Sequence, residues 1–127
     1  MTDDEIVYQI RGSIYDVYTT LGPDLLESVY EESLAYELKQ KGLKVERQKE
    51  VPLIYKEVKL YTNLRLDMLV EDRIIIELKA VSDMQPVFYK QILTYLRLTN
   101  LDSGILVNFD VDDILTNMRR VYKGGKS

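Results

Sequence analysis

The sequence predicts an α/β fold: a mixed β-sheet with helices packed on it. Three observations predict it. The first forty residues place apolar side chains at helical spacing, while residues 43 to 80 switch to strand-like alternation and β-branched runs. A second helical stretch then separates those strands from a short apolar run at residues 104 to 109, which implies one parallel crossover beside the hairpins. The chain has 127 residues, 46% of them hydrophobic, enough for one core, so residues 1-127 are expected to form a single domain.

In chain order, Ile6, Ile10, Ile14, Val17 and Tyr18 define an amphipathic helix over residues 4 to 20, stopped by Gly22-Pro23. Asp24 is a candidate cap for a second helix, with Glu27 placed as in a capping box. Leu26, Tyr30, Leu34 and Leu38 make its buried stripe, and Gly42 ends it. Alternation from Leu43 to Glu50 and the run from Val51 to Tyr55 read as strand, with Pro52 marking an edge or a bulge. Lys56-Glu57 is a turn, and a long strand follows from Val58 to Val70. Pro86 suits the first turn of a helix containing Phe88, Ile92, Leu93, Tyr95, Leu96 and Leu98. After the Gly104–Phe109 strand, Asp110 or Asp112 would cap a last helix to about Tyr122, leaving residues 124 to 127 as a loose tail.

The central hairpin carries the chemistry. Asp67 lies in Arg65-Leu66-Asp67-Met68-Leu69-Val70, and Glu77 and Lys79 lie in Ile74-Ile75-Ile76-Glu77-Leu78-Lys79. A three-residue loop, Glu71-Asp72-Arg73, would pair Val70 with Ile74 and Asp67 with Glu77. A two-residue turn would instead send the two acids to opposite faces. In the first register Leu64, Leu66, Met68 and Val70 share an apolar face with Ile74, Ile76, Leu78 and Ala80. The other face then carries Arg65, Asp67, Leu69, Arg73, Ile75, Glu77 and Lys79. Opposed carboxylates in an apolar setting repel and are costly to bury, and a divalent cation is the simplest offset.

Composition narrows the chemistry. With no Cys and no His, disulfides, thiol chemistry, zinc-finger ligation and histidine acid–base catalysis are excluded. Any metal must be held by oxygen, which favours Mg²⁺, Mn²⁺ or Ca²⁺. No run approaches the roughly 20 apolar residues of a membrane span, and the opening Met-Thr-Asp-Asp-Glu is unlike an export signal, so the cytoplasm is the expected location. A net charge of −4 argues against indiscriminate nucleic-acid binding. Basic clusters do occur: Lys39, Lys41, Lys44, Arg47 and Lys49, then Lys56 and Lys59, then Arg119, Arg120, Lys123 and Lys126.

Asp67 followed by Glu77-Leu78-Lys79, after a helix with Glu27 and before a helix with Gln91, resembles the PD-(D/E)XK nuclease superfamily. The resemblance implies an αβββαβ core over Asp24 to Phe109, a central mixed sheet flanked by helices, with extra N- and C-terminal helices. Within it, the chain is similar to the small bacterial GxxExxY family. Glu27 and Tyr30 match that motif, and Asp24 stands where it has glycine. Glu77-Leu78-Lys79-Ala80-Val81, Gln91 with Tyr95-Leu96, and Gly104 to Phe109 extend the likeness along nearly the whole chain. A histidine common near the end of the family's first helix is absent, where this chain has Val17-Tyr18.

The resemblance implies Mg²⁺- or Mn²⁺-dependent hydrolysis of phosphodiester bonds in DNA or RNA. Asp67 and Glu77 would hold the metal, with Glu27 adding a carboxylate directly or through water. Lys79 would orient the attacking water or stabilise developing charge, with Gln91 positioning it. Bland roles stand beside these: Glu27 completing a capping box, Lys79 snorkelling at a strand end, Gln91 on a surface, Tyr30 and Tyr95 as core. The alternative function is a non-catalytic nucleic-acid-associated or regulatory module on the same fold. On either reading the expected partners are nucleic acid and a second copy of the chain or a partner protein, with no membrane.

Overall fold

The computed structural model describes residues 1–125, Thr62 by its backbone alone. Lys126 and Ser127, the end of the expected tail, lie outside the described residues. The elements are α1 (Asp3–Leu21), α2 (Glu27–Gln40), β1 (Val45–Tyr55), β2 (Val58–Val70), β3 (Ile74–Lys79), α3 (Pro86–Thr99), β4 (Ser103–Asn108) and β5 (Met118–Tyr122). From α2 to β4 the order is αβββαβ, as expected. The five strands form one sheet in chain order. Only β3 and β4 are parallel, joined by the α3 crossover.

Each face of the sheet has its own core. Ile6, Ile10 and Ile14 of α1 and Tyr30, Leu34 and Leu38 of α2 pack on Met68, Val70, Ile74, Ile76, Leu78, Ile105 and Val107. Ile92, Tyr95 and Leu96 of α3 pack on Leu66, Leu69, Ile75, Leu106 and Val121 across the sheet. Gly104 lets α3 sit this close: a Cβ there would lie 2.6 Å from the Ile75 carbonyl oxygen and 3.1 Å from Ile92 Cδ1. α1 starts in a capping box missed in the sequence, with Thr2 and Glu5 exchanging two bonds of 3.1 Å.

Two expectations fail for identifiable reasons. The last helix is absent: residues 111–117 turn and β5 pairs antiparallel with β4, Val121 opposite Gly104. Ile114, Met118, Val121 and Tyr122 have helical spacing, but Asp113 spends its oxygens on Leu115 N, Thr116 Oγ1 and Asn117 Nδ2, closing a local turn. The fully buried β4 also needs a second neighbour for its backbone. The second correction concerns Asp24, which is not a cap. α2 begins at Glu27 after Leu26, without any side-chain cap. Asp24 has φ 72°, and its amide donates to Asp110 Oδ1 at 3.0 Å.

Tyr30 is accounted for by this loop. Its hydroxyl donates to the Gly22 carbonyl at 2.6 Å and accepts from Leu25 N at 3.2 Å, while its ring stacks on Phe109 at 4.5 Å. It is a buried clamp on residues 22–25, so the core role applies. A left-handed Asp24 is strained relative to glycine, which pays no Cβ penalty there. Asp24→Gly should therefore stabilise the protein by about 0.5–1 kcal/mol, read as a higher urea midpoint at an unchanged slope. A lower midpoint would mean the Asp24 side chain holds the loop.

Candidate active site

The hairpin loop has three residues, with Glu71 and Asp72 at positive φ and Val70 paired with Ile74. The three-residue loop gives the first register from Val70–Ile74 to Met68–Ile76 and not the two-residue-turn alternative, but the expected direct pairing of Asp67 with Glu77 is not part of the ladder. The ladder runs through Leu69–Ile75 and Met68–Ile76 and then stops. At the next step Asp67 turns its carboxylate into the strand gap, and Oδ2 accepts the Leu78 amide at 3.0 Å. On its other side, the ladder with β1 skips from Arg47–Met68 to Lys49–Leu66, because Gln48 adopts φ 49°.

The side-chain alternation of β2 reverses at this kink. Met68 and Val70 join the α1–α2 core as expected, but Leu64 and Leu66 join the α3 core. The expected single apolar face from Leu64 to Val70 is thus corrected. A residue flanked by interrupted pairing on both sides is free to present its side chain to a ligand instead of to a core.

Glu77 is 1% exposed, on the α3 side with Ile75, and its Oε1 has no hydrogen-bond partner among the described residues. Its carboxyl is pushed up to about 10, first by burial, then by the hydrogen bond and charge of the adjacent Asp67. The Lys79 ammonium and the Asp67 amide work in the other direction. Lys79 Nζ meets Gln91 Oε1 at 3.3 Å and lies 4.6 Å from the centre of the Phe88 ring. It makes no ion pair among the described residues, so its charge is uncommitted. An open cleft of about 400 Å³ lies over it, lined by Val87, Phe88, Lys90, Gln91 and Thr94.

Glu27, at the first residue of α2, lies near enough for Asp67, Lys79 and Glu31 to affect its titration. Burial raises its pKa most, Asp67 adds to that, and Lys79 and the Ala80 amide oppose it. With no capping box at this helix start, Glu27 does not have the structural job that competed for it. One turn on, the buried Glu31 does have one: it accepts from Arg47 Nε at 3.1 Å, Arg47 Nη2 at 2.9 Å and Gln48 Nε2 at 2.6 Å. Those bonds hold Gln48 in the kink facing Asp67. Sequence reasoning missed Glu31, although its i+4 spacing from Glu27 places both on one helix face.

All five candidates therefore belong to one neighbourhood at the end of β3. The acids do not gather into a closed shell: no group of three or more Asp and Glu side chains converges as a metal cage among the described residues. A partial shell is what Mg²⁺ accepts, since it keeps several waters and takes one or two carboxylates. The partnerless Glu77 Oε1 beside the Asp67 carboxylate fits such an ion.

A model of the PD-(D/E)XK nuclease superfamily matches residues 4–121. The chain belongs to this superfamily. Its nucleases generally use divalent metals. Neither curated proteins nor solved structures give a significant match. No helix among the described residues is long and apolar enough to cross a membrane.

Tyr95, read from the sequence mainly as core, has a second role in this superfamily member. It is nearly buried, and its hydroxyl accepts from Gln91 Nε2 at 2.9 Å, so Gln91 is held while its oxygen faces Lys79. Burial, then the Glu77 charge, raises its pKa, which keeps the hydroxyl protonated. The i, i+4 spacing of Gln91 and Tyr95 was the available signal.

The Glu77 shift has a consequence for stability. Unfolded, the group has the ordinary value of 4.5, so between there and about 10 the folded protein keeps a proton that the unfolded chain releases. Its contribution is complete below the unfolded value and is lost as pH rises toward the folded one. In EDTA, unfolding free energy should fall by up to about 1.4 kcal/mol per pH unit as pH rises from just above the unfolded value toward the folded one. Glu77→Gln should flatten that fall; an identical slope in the variant would assign the titration elsewhere.

Proposed function

We propose that this protein is a Mg²⁺- or Mn²⁺-dependent nuclease that hydrolyses phosphodiester bonds in DNA or RNA. The observation that carries the reading is Glu77 Oε1, buried and without a partner, beside the Asp67 carboxylate and the uncommitted Lys79 ammonium. Within the superfamily, the spacing of Glu27 and Tyr30 and the positive φ of Asp24, which a glycine would adopt freely, support the GxxExxY family.

Asp67 and Glu77 would hold the ion, with Glu27 at the rim. Bound there, the metal supplies charge neutralisation at the phosphate and a lower pKa for its water. The protein does the remainder. Lys79, kept in place by Gln91 and Phe88, presents an ammonium to the cleft, where it orients the attacking water or balances anionic charge on phosphorus oxygens. Gln91, fixed by Tyr95, sets the position of Lys79. The Asp67–Leu78 hydrogen bond locks the acid at the strand gap, so its placement costs little reorganisation.

The test is a panel of labelled single-stranded, duplex and branched DNA and RNA incubated with Mg²⁺, Mn²⁺ or EDTA. Cleavage of at least one substrate, dependent on metal, is expected. Metal binding without cleavage of any substrate would favour the binding-module alternative. Absence of both metal binding and cleavage would overturn the reading.

A further inference from the structure

Charge is sorted between the faces of the sheet. α1 and α2 carry eight acids and two bases, whereas α3 and β5 carry four bases and no acid. The alternation of β5 extends the sorting. Arg120 shares its side with Met118, in the α1–α2 core, and pairs with Asp4 at 2.6 Å. Arg119 shares its side with Val121, in the α3 core, and has no ion pair among the described residues. Lys90 and Arg97 on α3 are likewise without one, and all three are exposed. In a chain with net charge −4, neither α3 nor β5 carries an acid to neutralise these three cations.

Two of the three cations, Arg119 and Arg97, are held in place. Arg119 sits over the Tyr89 ring, its Cζ 4.4 Å from the centre. Tyr89 in turn donates its hydroxyl to the Gly125 carbonyl at 2.9 Å. Arg97 Nε donates to the Lys123 carbonyl at 3.2 Å, tying α3 to the turn after β5. Between α3 and β5 lies a cleft of about 320 Å³, with Tyr89, Gln85, Asn117 and Arg119 among its lining residues and no acid among them. This cleft and the one over Lys79 flank the same helix, the first carrying Tyr89 and the second Lys90 and Gln91.

We infer that the α3–β5 face is the track on which the nucleic-acid backbone runs away from Lys79, with Lys90, Arg97 and the Tyr89-seated Arg119 contacting successive phosphates. This rests on the substrate class proposed above. A guanidinium held on an aromatic ring loses little side-chain freedom on binding, and its outer N–H groups still match two phosphate oxygens. Cations without acid partners give up no ion pair when a phosphate arrives, unlike Lys44, Arg47 or Arg65, which are already paired.

The test is binding rather than cleavage. Fluorescence anisotropy would follow labelled single-stranded and duplex oligonucleotides in EDTA across a salt series. Lys90→Gln combined with Arg119→Gln should weaken binding about tenfold and reduce the salt slope by roughly one to two. Adding Arg97→Gln should weaken it further. Arg11→Gln with Lys39→Gln, bases of the acidic face, should change neither quantity. Melting curves superposable on wild type would show that the double variant is folded; Arg119→Gln alone serves if it is not.

Unchanged affinity and slope in the folded variant would overturn the inference while leaving the nuclease reading intact. So would capture of poly-glutamate, but no oligonucleotide, by the wild type. Loss of binding in the double variant of a protein that never cleaves would uphold the track and sink the catalytic reading instead.

Discussion

Lys79→Ala should lower metal-dependent cleavage by about 10²–10³-fold, the usual effect of removing one positioned charge from a reacting centre. The fold should hardly notice. The ammonium makes one hydrogen bond to Gln91 and one contact with the Phe88 ring, and no ion pair among the described residues is lost with it. Lys79→Arg should not restore the rate, because a planar guanidinium cannot replace a compact ammonium facing a carboxamide oxygen. Gln91→Ala should fall between, at about a tenfold loss. Initial rates on the best substrate of the panel, beside melting curves for each variant, would check the set. Full activity in Lys79→Ala would remove the lysine from the chemistry.

The second large effect divides Asp67 into two jobs. Its carboxylate accepts the Leu78 amide and also forms half of the acid pair. Asp67→Ala should cost about 1–3 kcal/mol without any metal, since it leaves a part-buried amide without a partner. Asp67→Asn keeps an acceptor oxygen for Leu78 and should fold nearly as well as wild type. Both should lose the stabilisation by Mg²⁺. For wild type, a tenfold excess over Kd gives about 1.4 kcal/mol, a rise of about 4–7 °C for a chain of this size. A full metal-induced rise in Asp67→Asn would show that the aspartate serves the strand gap alone.

Most of the element order was legible because this chain signals its elements strongly. Pro86 opens α3, Lys56-Glu57 turns the outer hairpin, and the apolar period changes cleanly after Gly42. The register of β2 on β3 followed from loop length alone. What stayed hidden depends on contacts distant in sequence. The reversal of β2 at Asp67 is set by Gln48 and Glu31, neither of which looks unusual locally. β5 was masked by a helical spacing that Asp113 interrupts, and by the need of a buried β4 for a second neighbour. Asp24 invites a capping assignment on residue type, but the Tyr30 clamp and Asp110 hold it left-handed.

The same limits apply to the site. Glu27, Asp67, Glu77, Lys79 and Gln91 were nameable from spacing and resemblance. That Glu77 is sealed with an unanswered oxygen, and that Tyr95 steadies Gln91, follows only from α3 lying across the sheet. Burial turns an acid pair from a surface feature into a strained one, and a metal ion relieves such strain.

The most direct test is to count Mn²⁺ ions by titration calorimetry with electron paramagnetic resonance, on wild type, Asp67→Asn and Glu77→Gln at neutral pH. One ion per chain in wild type, absent or at least tenfold weaker in both variants, is the predicted result. Mn²⁺ bound equally well by Glu77→Gln, or not bound by the wild type at millimolar levels, would contradict the metal site.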